Sequence, residues 1–298
     1  MGKQTGVSGG INGITCNGEN GEYCVAVGGY SAPKSHIAPI VYTSSDSGKS
    51  WAPNYPESFG TYGTVLQAVS CSGSNGQYCT AVGNHSSSRD GKIYNATSFL
   101  AYTSIDGGIN WTVKVIDEHI GGSGASLQSV TCNNNGQNCI AVGFLKEPHK
   151  PIIYRTANGG DDWTSYIPES TEGGALNAVT CSQNNDQYCM AAGEKNSVPI
   201  IYKSIDGGSS WVIQDNLPRH YKGTFNAITC NNNGEYCTAI GYVSAGGRQP
   251  TWQWEPISFV TYDGGNNWWH RFSAFANQDD AVRNIYVPYG LAVSGNSE

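Results

Sequence analysis

The sequence has few charged residues and no long apolar segment. Charged side chains make up 13% of its 298 residues, with 16 basic against 23 acidic groups and a formal net charge of −7. No apolar run reaches the roughly 18 residues that a membrane-spanning helix needs, so no membrane insertion is expected. Lysine and arginine form no cluster, which disfavours nucleic acid or an anionic membrane as a partner.

Several motifs of catalytic and cofactor sites are also missing. The sequence has no G-x-S-x-G elbow, no H-E-x-x-H helix and no phosphate-binding G-x-x-x-x-G-K-[ST] loop. Its cysteines lack the C-x2-C spacing of a zinc site. We therefore predict neither a metal site nor a cofactor, and no residue is assigned a catalytic role.

Glycine and β-forming residues are abundant instead. There are 39 glycines, 18 tyrosines and 8 tryptophans, and the chain is rich in asparagine, serine, threonine and valine. Such a composition disfavours helices and favours short strands joined by turns. With 38% hydrophobic residues the chain has enough apolar side chains to form a core. The composition predicts an all-β protein.

The ten cysteines form five local pairs, each seven or eight residues apart. They are Cys16–Cys24, Cys71–Cys79, Cys132–Cys139, Cys181–Cys189 and Cys230–Cys237. Each pair encloses a turn-rich stretch such as NGENGEY and is flanked by β-forming residues, which predicts a hairpin with the Cα atoms about 5.5 Å apart. We predict five disulfides rather than metal ligands or free thiols. Disulfides persist in oxidising compartments, so we expect a secreted or otherwise extracytoplasmic protein, although no signal peptide is visible.

A second motif follows each cysteine pair, and the two together form a unit that is repeated five times. The second motif reads PIVYTSSDSGKSW in the first copy and PIIYKSIDGGSSW in the fourth, and its tryptophans recur every 48 to 60 residues. Asp-Gly between apolar runs predicts a hairpin, because glycine tolerates a positive φ. Each unit is therefore interpreted as four short strands, and repeats of this length indicate stacked supersecondary units.

The pattern Ser/Thr-x-Asp-x-Gly-x-x-Trp resembles the Asp box, or BNR repeat, of sialidases and related β-propellers. Its third positions are Asp46, Asp106, Asn158, Asp206 and Asp263, and its last positions are Trp51, Trp111, Trp163, Trp211 and Trp268. The resemblance implies a five-bladed propeller of four-stranded antiparallel blades, each with one disulfide and one Asp box. A six-bladed ring with a degenerate C-terminal blade is the alternative. We expect the box to be structural, with its carboxylate bonded to turn amides and its tryptophan packed between blades.

The repeats define the expected domain organisation. Residues 1–10 are a lead-in segment, residues 11–270 form the propeller, and residues 271–298 form a closing segment with a degenerate half-repeat. The repeats span approximately 11–60, 61–121, 122–171, 172–221 and 222–270.

The connections opposite the Asp boxes vary in length, and the longest are 84–98 and 242–255. All six histidines lie in or beside these variable connections. Loops on a rigid scaffold commonly carry recognition, although polar residues also collect in long loops for no functional reason. Trp-x-Trp at 252–254 places two indoles on one side of an extended segment. The candidate ligand-binding residues are Trp252, Trp254, Arg248, His220, Tyr221, Tyr94, Tyr62 and Tyr30.

These observations favour a monomeric, non-catalytic recognition propeller that binds a glycan through its variable loops. One alternative is a scaffold that binds an extracellular protein surface. Another is a glycoside hydrolase, either sialidase-like or with paired carboxylates. A sialidase-like site needs three convergent arginines, and the chain has six arginines but no Phe/Tyr-Arg-Ile-Pro motif. Candidate carboxylates are Asp117, Glu118, Glu169, Glu172, Asp215, Glu255, Asp279 and Asp280.

Overall fold

The protein is all-β throughout the part that its computed structural model describes. The described residues are 8–18, 20–32, 36–59, 63–89, 92–120, 124–168, 173–182, 187–214, 217, 222–244 and 254–271. They form twenty β-strands and no helix, so no described helix is long and apolar enough to cross a membrane. The all-β prediction is confirmed for these residues.

The strands form five four-stranded antiparallel sheets, each built from four consecutive strands. The first sheet contains β1 (Gly9–Asn17), β2 (Tyr23–Ala32), β3 (His36–Ser44) and β4 (Ala52–Asn54). The second contains β5 (Thr64–Ser72), β6 (Tyr78–Arg89), β7 (Lys92–Ser104) and β8 (Thr112–Ile120). The third contains β9 (Ser126–Cys132), β10 (Cys139–Lys146), β11 (His149–Thr156) and β12 (Thr164–Tyr166). The fourth contains β13 (Gly174–Cys181), β14 (Cys189–Lys195), β15 (Val198–Ser204) and β16 (Val212–Ile213). The fifth contains β17 (Lys222–Cys230), β18 (Cys237–Ser244), β19 (Trp254–Thr261) and β20 (Trp269–Arg271).

One disulfide joins the first two strands of each sheet. The five bridges pair the cysteines within each hairpin, and their Cα atoms are 4.0–4.1 Å apart. This distance is shorter than the expected 5.5 Å. In the third sheet the next pair outward, Asn133 and Asn138, is hydrogen-bonded, so Cys132 and Cys139 occupy the closer, non-hydrogen-bonded position of the antiparallel ladder. Five disulfides indicate an oxidising, extracytoplasmic environment.

A bulge in the first strand of each sheet explains part of the glycine content. The residues skipped in the strand register at these bulges are Asn12, Gln67, Gln128, Asn177 and Asn226. Opposite each bulge the second strand has a glycine, at Gly28, Gly83, Gly143, Gly193 and Gly241. A Cβ atom at any of these glycines would come within 1.9–2.0 Å of a first-strand carbonyl oxygen, so only glycine fits.

By its internal contacts the chain divides into two units. One comprises Met1–Pro148 and Ile153–Ser165, and the other comprises His149–Ile152 and Tyr166–Glu298. The first unit has a core in which Val27 and Val41 of the first sheet belong to one cluster with Leu66 and Leu100 of the second. The second unit has a core that joins the fourth and fifth sheets, with Ile201, Phe225 and Phe259 among its buried residues. Full burial of one such side chain contributes about 1.5–3 kcal/mol.

The longest predicted loop of the first unit is largely strand. Strands β6 and β7 extend beyond the expected ends, and their pairing reaches Arg89 and Lys92. The expectation of a long loop at 84–98 is therefore wrong, because this polar segment pairs with itself as a long hairpin. A role of the segment in recognition stays a prediction. The predicted closing segment after residue 271 lies outside the described residues.

Candidate functional site

The cysteine hairpin and the Asp-containing turn of each sheet lie at the same end, which we call the turn edge. The aspartate turns, defined as residues 44–51, 104–111, 156–163, 204–211 and 261–268, connect the third and fourth strands. In the first sheet the N–H of Ser47 donates to the carbonyl oxygen of Glu22 in the hairpin, at 3.1 Å. The same bond recurs from Gly107 to Gln77, Gly159 to Gln137, Gly207 to Gln187 and Gly264 to Glu235. Each cysteine hairpin is thus hydrogen-bonded to the aspartate turn of its own sheet.

Within each turn the carboxylate or amide at the third position holds the backbone. In the first turn the Ser44 hydroxyl donates to Asp46 Oδ1 at 2.8 Å, and the N–H of Ser50 donates to the same oxygen at 2.8 Å. The N–H of Gly48 in turn donates to the Ser44 hydroxyl at 2.9 Å. Equivalent bonds occur in the other four turns. The five side chains therefore have a structural task in the turn.

The residue four positions after the aspartate completes the network. Ser50, Asn110, Ser210 and Asn267 each donate a side-chain hydrogen bond to the second carboxylate oxygen of their turn, at 2.6–2.7 Å. The third turn reverses this arrangement, because Asn158 Nδ2 donates to Asp162 Oδ2 at 3.0 Å. The carboxylate and the amide have exchanged positions in this turn, and the hydrogen bond between them is kept. The sequence contained this signal in Asp162, four residues after Asn158, but it was missed.

These bonds lower the pKa values of the turn carboxyls. The Ser50 hydroxyl, followed by the Ser50 N–H and the Ser44 hydroxyl, lowers the pKa of Asp46 to about 2. The side-chain amide of Asn267 makes the largest contribution to the lowered pKa of Asp263. For Asp106 and Asp206, slight burial raises the pKa, but hydrogen bonds within the turn outweigh it and the net shift is downward.

The turn tryptophans bond mainly to their own turn. In the first four turns the indole N–H donates to the carbonyl oxygen of the glycine three residues earlier, at 2.8–3.2 Å. Trp211 and Trp268 are buried, whereas Trp51 is exposed. The buried Nε1 of Trp268 has no hydrogen-bond partner among the described residues. Burial of the turn tryptophan therefore differs from one turn to another, and its packing between blades stays a prediction.

Most predicted ligand-binding residues lie outside the described part of the chain. They are Tyr62, His220, Tyr221, Arg248 and Trp252. Tyr94 and Trp254 lie in strands β7 and β19, and nothing beyond this strand position is described for them. Tyr30 is on β2 and packs edge-to-face against Tyr55, with the ring centroids 5.2 Å apart. Tyr30 also lines a cavity of about 140 Å³ with Tyr42 and Tyr55.

An exposed group of aromatic side chains that the sequence did not predict lies at the turn edge of the fifth sheet. Tyr236, Tyr262 and Trp269 are 52%, 48% and 43% exposed. The Tyr236 and Tyr262 ring centroids are 5.8 Å apart, and those of Tyr262 and Trp269 are 5.5 Å apart. Arg271, also exposed, donates from Nη2 to the Tyr262 hydroxyl at 3.1 Å. We call these four residues the aromatic platform.

Strand pairing brings the platform together. Tyr236 directly precedes the second cysteine of the hairpin, Tyr262 is the second residue of the aspartate turn, and Trp269 follows the turn tryptophan. The hydrogen bond from the Gly264 N–H to the Glu235 carbonyl oxygen holds the hairpin against the turn. Strand β20 pairs with β19, where Trp269 lies opposite Val260. At the matching positions the fourth sheet has Tyr188, Ile205 and Val212, all exposed. Tyr236 and Tyr262 are edge-to-face, with an interplanar angle of 78°, and Tyr262 and Trp269 are tilted by 51°. These three neighbouring aromatic rings distinguish the fifth sheet from the fourth.

His85 and Asp117, a predicted loop histidine and a candidate carboxylate, both have local partners. His85 is buried in β6, and its Nδ1 lies 3.2 Å from the Thr64 hydroxyl oxygen, so its assignment to a loop was wrong. Burial lowers the pKa of His85. Asp117 accepts a hydrogen bond from the Tyr154 hydroxyl at 3.1 Å. Among the described residues, no three histidine, cysteine, aspartate or glutamate side chains are grouped to hold a metal ion.

Comparisons with known proteins identify the fold rather than a family. No family model matches the chain, and no curated protein sequence matches it. An ancestral GH74 enzyme is 17% identical, with a TM-score of 0.55 over 89% of this chain and 31% of that one. The sialidase of Trypanosoma rangeli is 12% identical, with a TM-score of 0.53 over 87% of this chain and 47% of that one. A protein of unknown function from Dyadobacter fermentans is 12% identical, with a TM-score of 0.55 over 86% of this chain and 80% of that one.

The chain therefore spans about a third of the GH74 enzyme and about half of the sialidase. At these identities the similarity shows the fold alone. The fold is that of a β-propeller-like all-β protein whose structural neighbours include sialidases, as the resemblance implied.

Proposed function

We propose that the chain is a secreted, non-catalytic glycan-binding protein that binds sugar on the aromatic platform. The observation that carries the proposal is the exposed Tyr236–Tyr262–Trp269 group with Arg271 on the Tyr262 hydroxyl. Sugar rings present apolar C–H faces that stack on aromatic rings, and hydroxyl groups at their edges that need hydrogen-bond partners. The platform offers both chemistries in one place. Because tyrosine and tryptophan side chains have few rotatable bonds, ordering them costs little entropy.

The carboxyl groups of the turn edge favour binding over hydrolysis. A glycosidase of the paired-carboxylate type needs an acid whose pKa is raised. The pKa of Asp263, beside the platform, is lowered instead, and its carboxylate oxygens accept bonds from Thr261 and Asn267. This carboxylate is committed to the turn and is poorly suited to donate a proton. Carbohydrate binding also agrees with the sialidase and GH74 structures that share the fold, although fold similarity by itself assigns no function.

For the architecture, the proposal is a monomeric, closed five-bladed propeller with an Asp box in each blade and the repeat boundaries given above. Contacts between consecutive sheets within each unit support it. The amide of Asn12 donates to the Leu66 carbonyl oxygen at 2.9 Å, and that of Asn177 donates to the Phe225 carbonyl oxygen at 2.8 Å. The two contacts use equivalent bulge residues. An experimental structure that left the sheets in an open array would contradict closure, and light scattering measures the oligomeric state.

A glycan array with wild-type protein and two platform variants tests the function. We expect Trp269→Ala and Tyr262→Ser to weaken binding to any glycan hit by at least about ten-fold, the loss equivalent to about 1.4 kcal/mol. The matched controls are Val212→Ala and Ile205→Ser, which change the equivalent exposed positions of the fourth sheet. Both controls should bind as the wild type does. Equal binding by variants and wild type would remove the platform from the proposal.

The predicted loop site at the other end of the fifth sheet is tested in the same array. Trp254 begins β19 and pairs with Ser244 at the end of the fifth sheet away from the aspartate turn. Trp252 precedes it in the sequence and lies outside the described residues. A Trp252→Ala/Trp254→Ala variant that loses binding, while Trp269→Ala retains it, would move the site to the loops. Turnover of fluorogenic glycosides would favour the hydrolase. If the protein neither binds a glycan nor hydrolyses a glycoside, and the same substitutions abolish its binding to an extracellular protein, the scaffold alternative would be favoured.

A further inference from the structure

The first unit contains a cavity of about 520 Å³ at the turn edges of its first and second sheets. The residues around it come from the hairpin and aspartate turn of both sheets. Its volume lies within the roughly 300–1,000 Å³ typical of small-molecule sites. The cavity and the platform belong to different units and share no residue.

Part of the cavity lining is apolar and exposed. Tyr23 is 44% exposed, and Ile105 and Ile109 of the second turn are 79% and 63% exposed. The turn geometry fixes both isoleucines in place, because Asp106 Oδ1 accepts a hydrogen bond from the Ile109 N–H at 3.1 Å. Asn54 of β4 also donates to the Ile109 carbonyl oxygen. The exposed isoleucines thus belong to a turn whose backbone is held by hydrogen bonds.

The lining also includes residues with neutral hydrogen-bonding side chains. They are Ser45, Asn75 and Gln77. None of these three side chains forms a hydrogen bond with another described residue. Together they provide two amide donors, two amide acceptors and a hydroxyl that serves as either. The backbone beneath them is held, because the Gln77 carbonyl oxygen accepts the N–H of Gly107 at 3.0 Å.

The charge of the cavity favours a neutral ligand. Among its lining residues Asp106 is the one charged group, and no lysine, arginine or histidine is present. The Asp106 carboxylate already accepts bonds from Ser104, Ile109 and Asn110. An anionic sugar would therefore meet a negative charge with no cation to balance it.

We propose that this cavity is a second saccharide site, specific for a neutral sugar that stacks on Tyr23 and Ile105 and bonds to Ser45, Asn75 and Gln77. The inference rests on the proposed function and adds a site in the other unit. A bivalent glycan that engaged both sites would gain avidity without any new contact.

Isothermal titration with neutral disaccharides, namely cellobiose, lactose, maltose and mannobiose, tests the inference, with glucuronic acid as the charged comparison. For at least one neutral disaccharide we expect binding to the cavity and no heat with glucuronic acid. Ile105→Ser/Asn75→Ala should weaken that binding by at least about ten-fold. Because both side chains are exposed, the variant should fold. Ile205→Ser is the matched control, since Ile205 has the equivalent exposed position in the fourth sheet.

The outcomes separate this inference from the proposed function. Neutral-sugar binding that is lost in Trp269→Ala but unchanged in Ile105→Ser/Asn75→Ala would overturn the cavity and leave the platform. Loss in the cavity variant alone would support the cavity and overturn the platform for that sugar. Absence of any saccharide binding to the wild type would overturn both. In amide NMR spectra, the side-chain signals of Asn75 and Gln77 should shift on titration, and unshifted signals would contradict direct contact.

Discussion

The side-chain amide of Asn158 donates to the carboxylate of Asp162 across 3.0 Å, in the place where Asn110 donates to Asp106 in the second turn. Donor and acceptor have changed positions in the sequence while the contact between them is the same. The third turn therefore does not lack its carboxylate. It holds one carboxylate and one amide, as the second and fifth turns do.

Restoring the common aspartate at position 158 should destabilise the third turn. Asn158→Asp places two carboxylates in contact, removes an amide donor and is expected to lower the free energy of unfolding by about 1 kcal/mol. The double variant Asn158→Asp/Asp162→Asn should recover most of that loss, because it recreates the second turn. Urea unfolding of the wild type, both single variants and the double variant measures this coupling.

The reciprocal exchange in the second turn is the control. Asp106→Asn alone and Asn110→Asp alone should each cost stability, and the pair together should cost less than the sum of the two. Additive effects in both turns would show that the two side chains do not act as a pair.

The sequence predicted the features that depend on a few neighbouring residues. Cysteines seven or eight residues apart around a turn can bridge only as a hairpin, and Asp-Gly fixes the turn that follows. The link from Ser47 to Glu22 was not predictable, because it joins two segments that meet only after three strands have paired. The platform was missed for the same reason, since Tyr236 and Trp269 are far apart along the chain.

The error at residues 84–98 came from treating polar composition as evidence for a loop. Serine, asparagine and threonine are frequent there, yet Ser86 pairs with Thr97 and Ser88 pairs with Ile93. The β-branched and aromatic residues Ile93, Tyr94 and Thr97, which have high β-propensity, were the available signal for a strand.

The lowered pKa of Asp46 predicts how the stability of the first turn depends on pH. Asp46 has a pKa of about 2 in the folded chain, below its ordinary value of 3.8. Its stabilising contribution is therefore complete above about pH 5 and is lost progressively as the pH falls through 3.8 and past 2. Relative to Asp46→Asn, the wild type should be more stable at pH 6, and most of the difference should be gone at pH 2. Urea midpoints across this range test the claim.

Glu57→Gln is the control for that series, because the exposed Glu57 side chain lies outside the aspartate turns. This variant measures, at each pH, the effect of removing one carboxylate that is not part of an aspartate turn. A wild-type advantage over Asp46→Asn that stayed constant down to pH 2 would contradict the bonding of Asp46 described above.

The hairpin disulfides should contribute substantially to stability. Cys16 and Cys24 close a loop with a sequence separation of 8. A loop of this size constrains the unfolded chain by about 2.5 kcal/mol, so Cys16→Ala/Cys24→Ala should lose about that much. Intact mass after alkylation should show no free thiols in the native protein and ten after reduction and unfolding. Native thiols that react with the alkylating agent would contradict the pairing.

Ser47 occupies a conformation that glycine occupies in the other four turns. Its φ is 60°, and the equivalent residues are Gly107, Gly159, Gly207 and Gly264, with φ between 66° and 74°. A serine in this left-handed region is strained by about 1 kcal/mol. Replacing it with glycine removes the strain but gives the unfolded chain more conformational freedom, which offsets part of the gain in stability. Ser47→Gly should therefore raise the free energy of unfolding by about 0.5 kcal/mol. Gly107→Ala should lower it by a similar amount, because the nearest atom to the added Cβ is 4.0 Å away and strain is then the main effect. Thermal and urea unfolding of both variants check the pair, and a stabilising Gly107→Ala would show that the backbone of the turn differs from the one described.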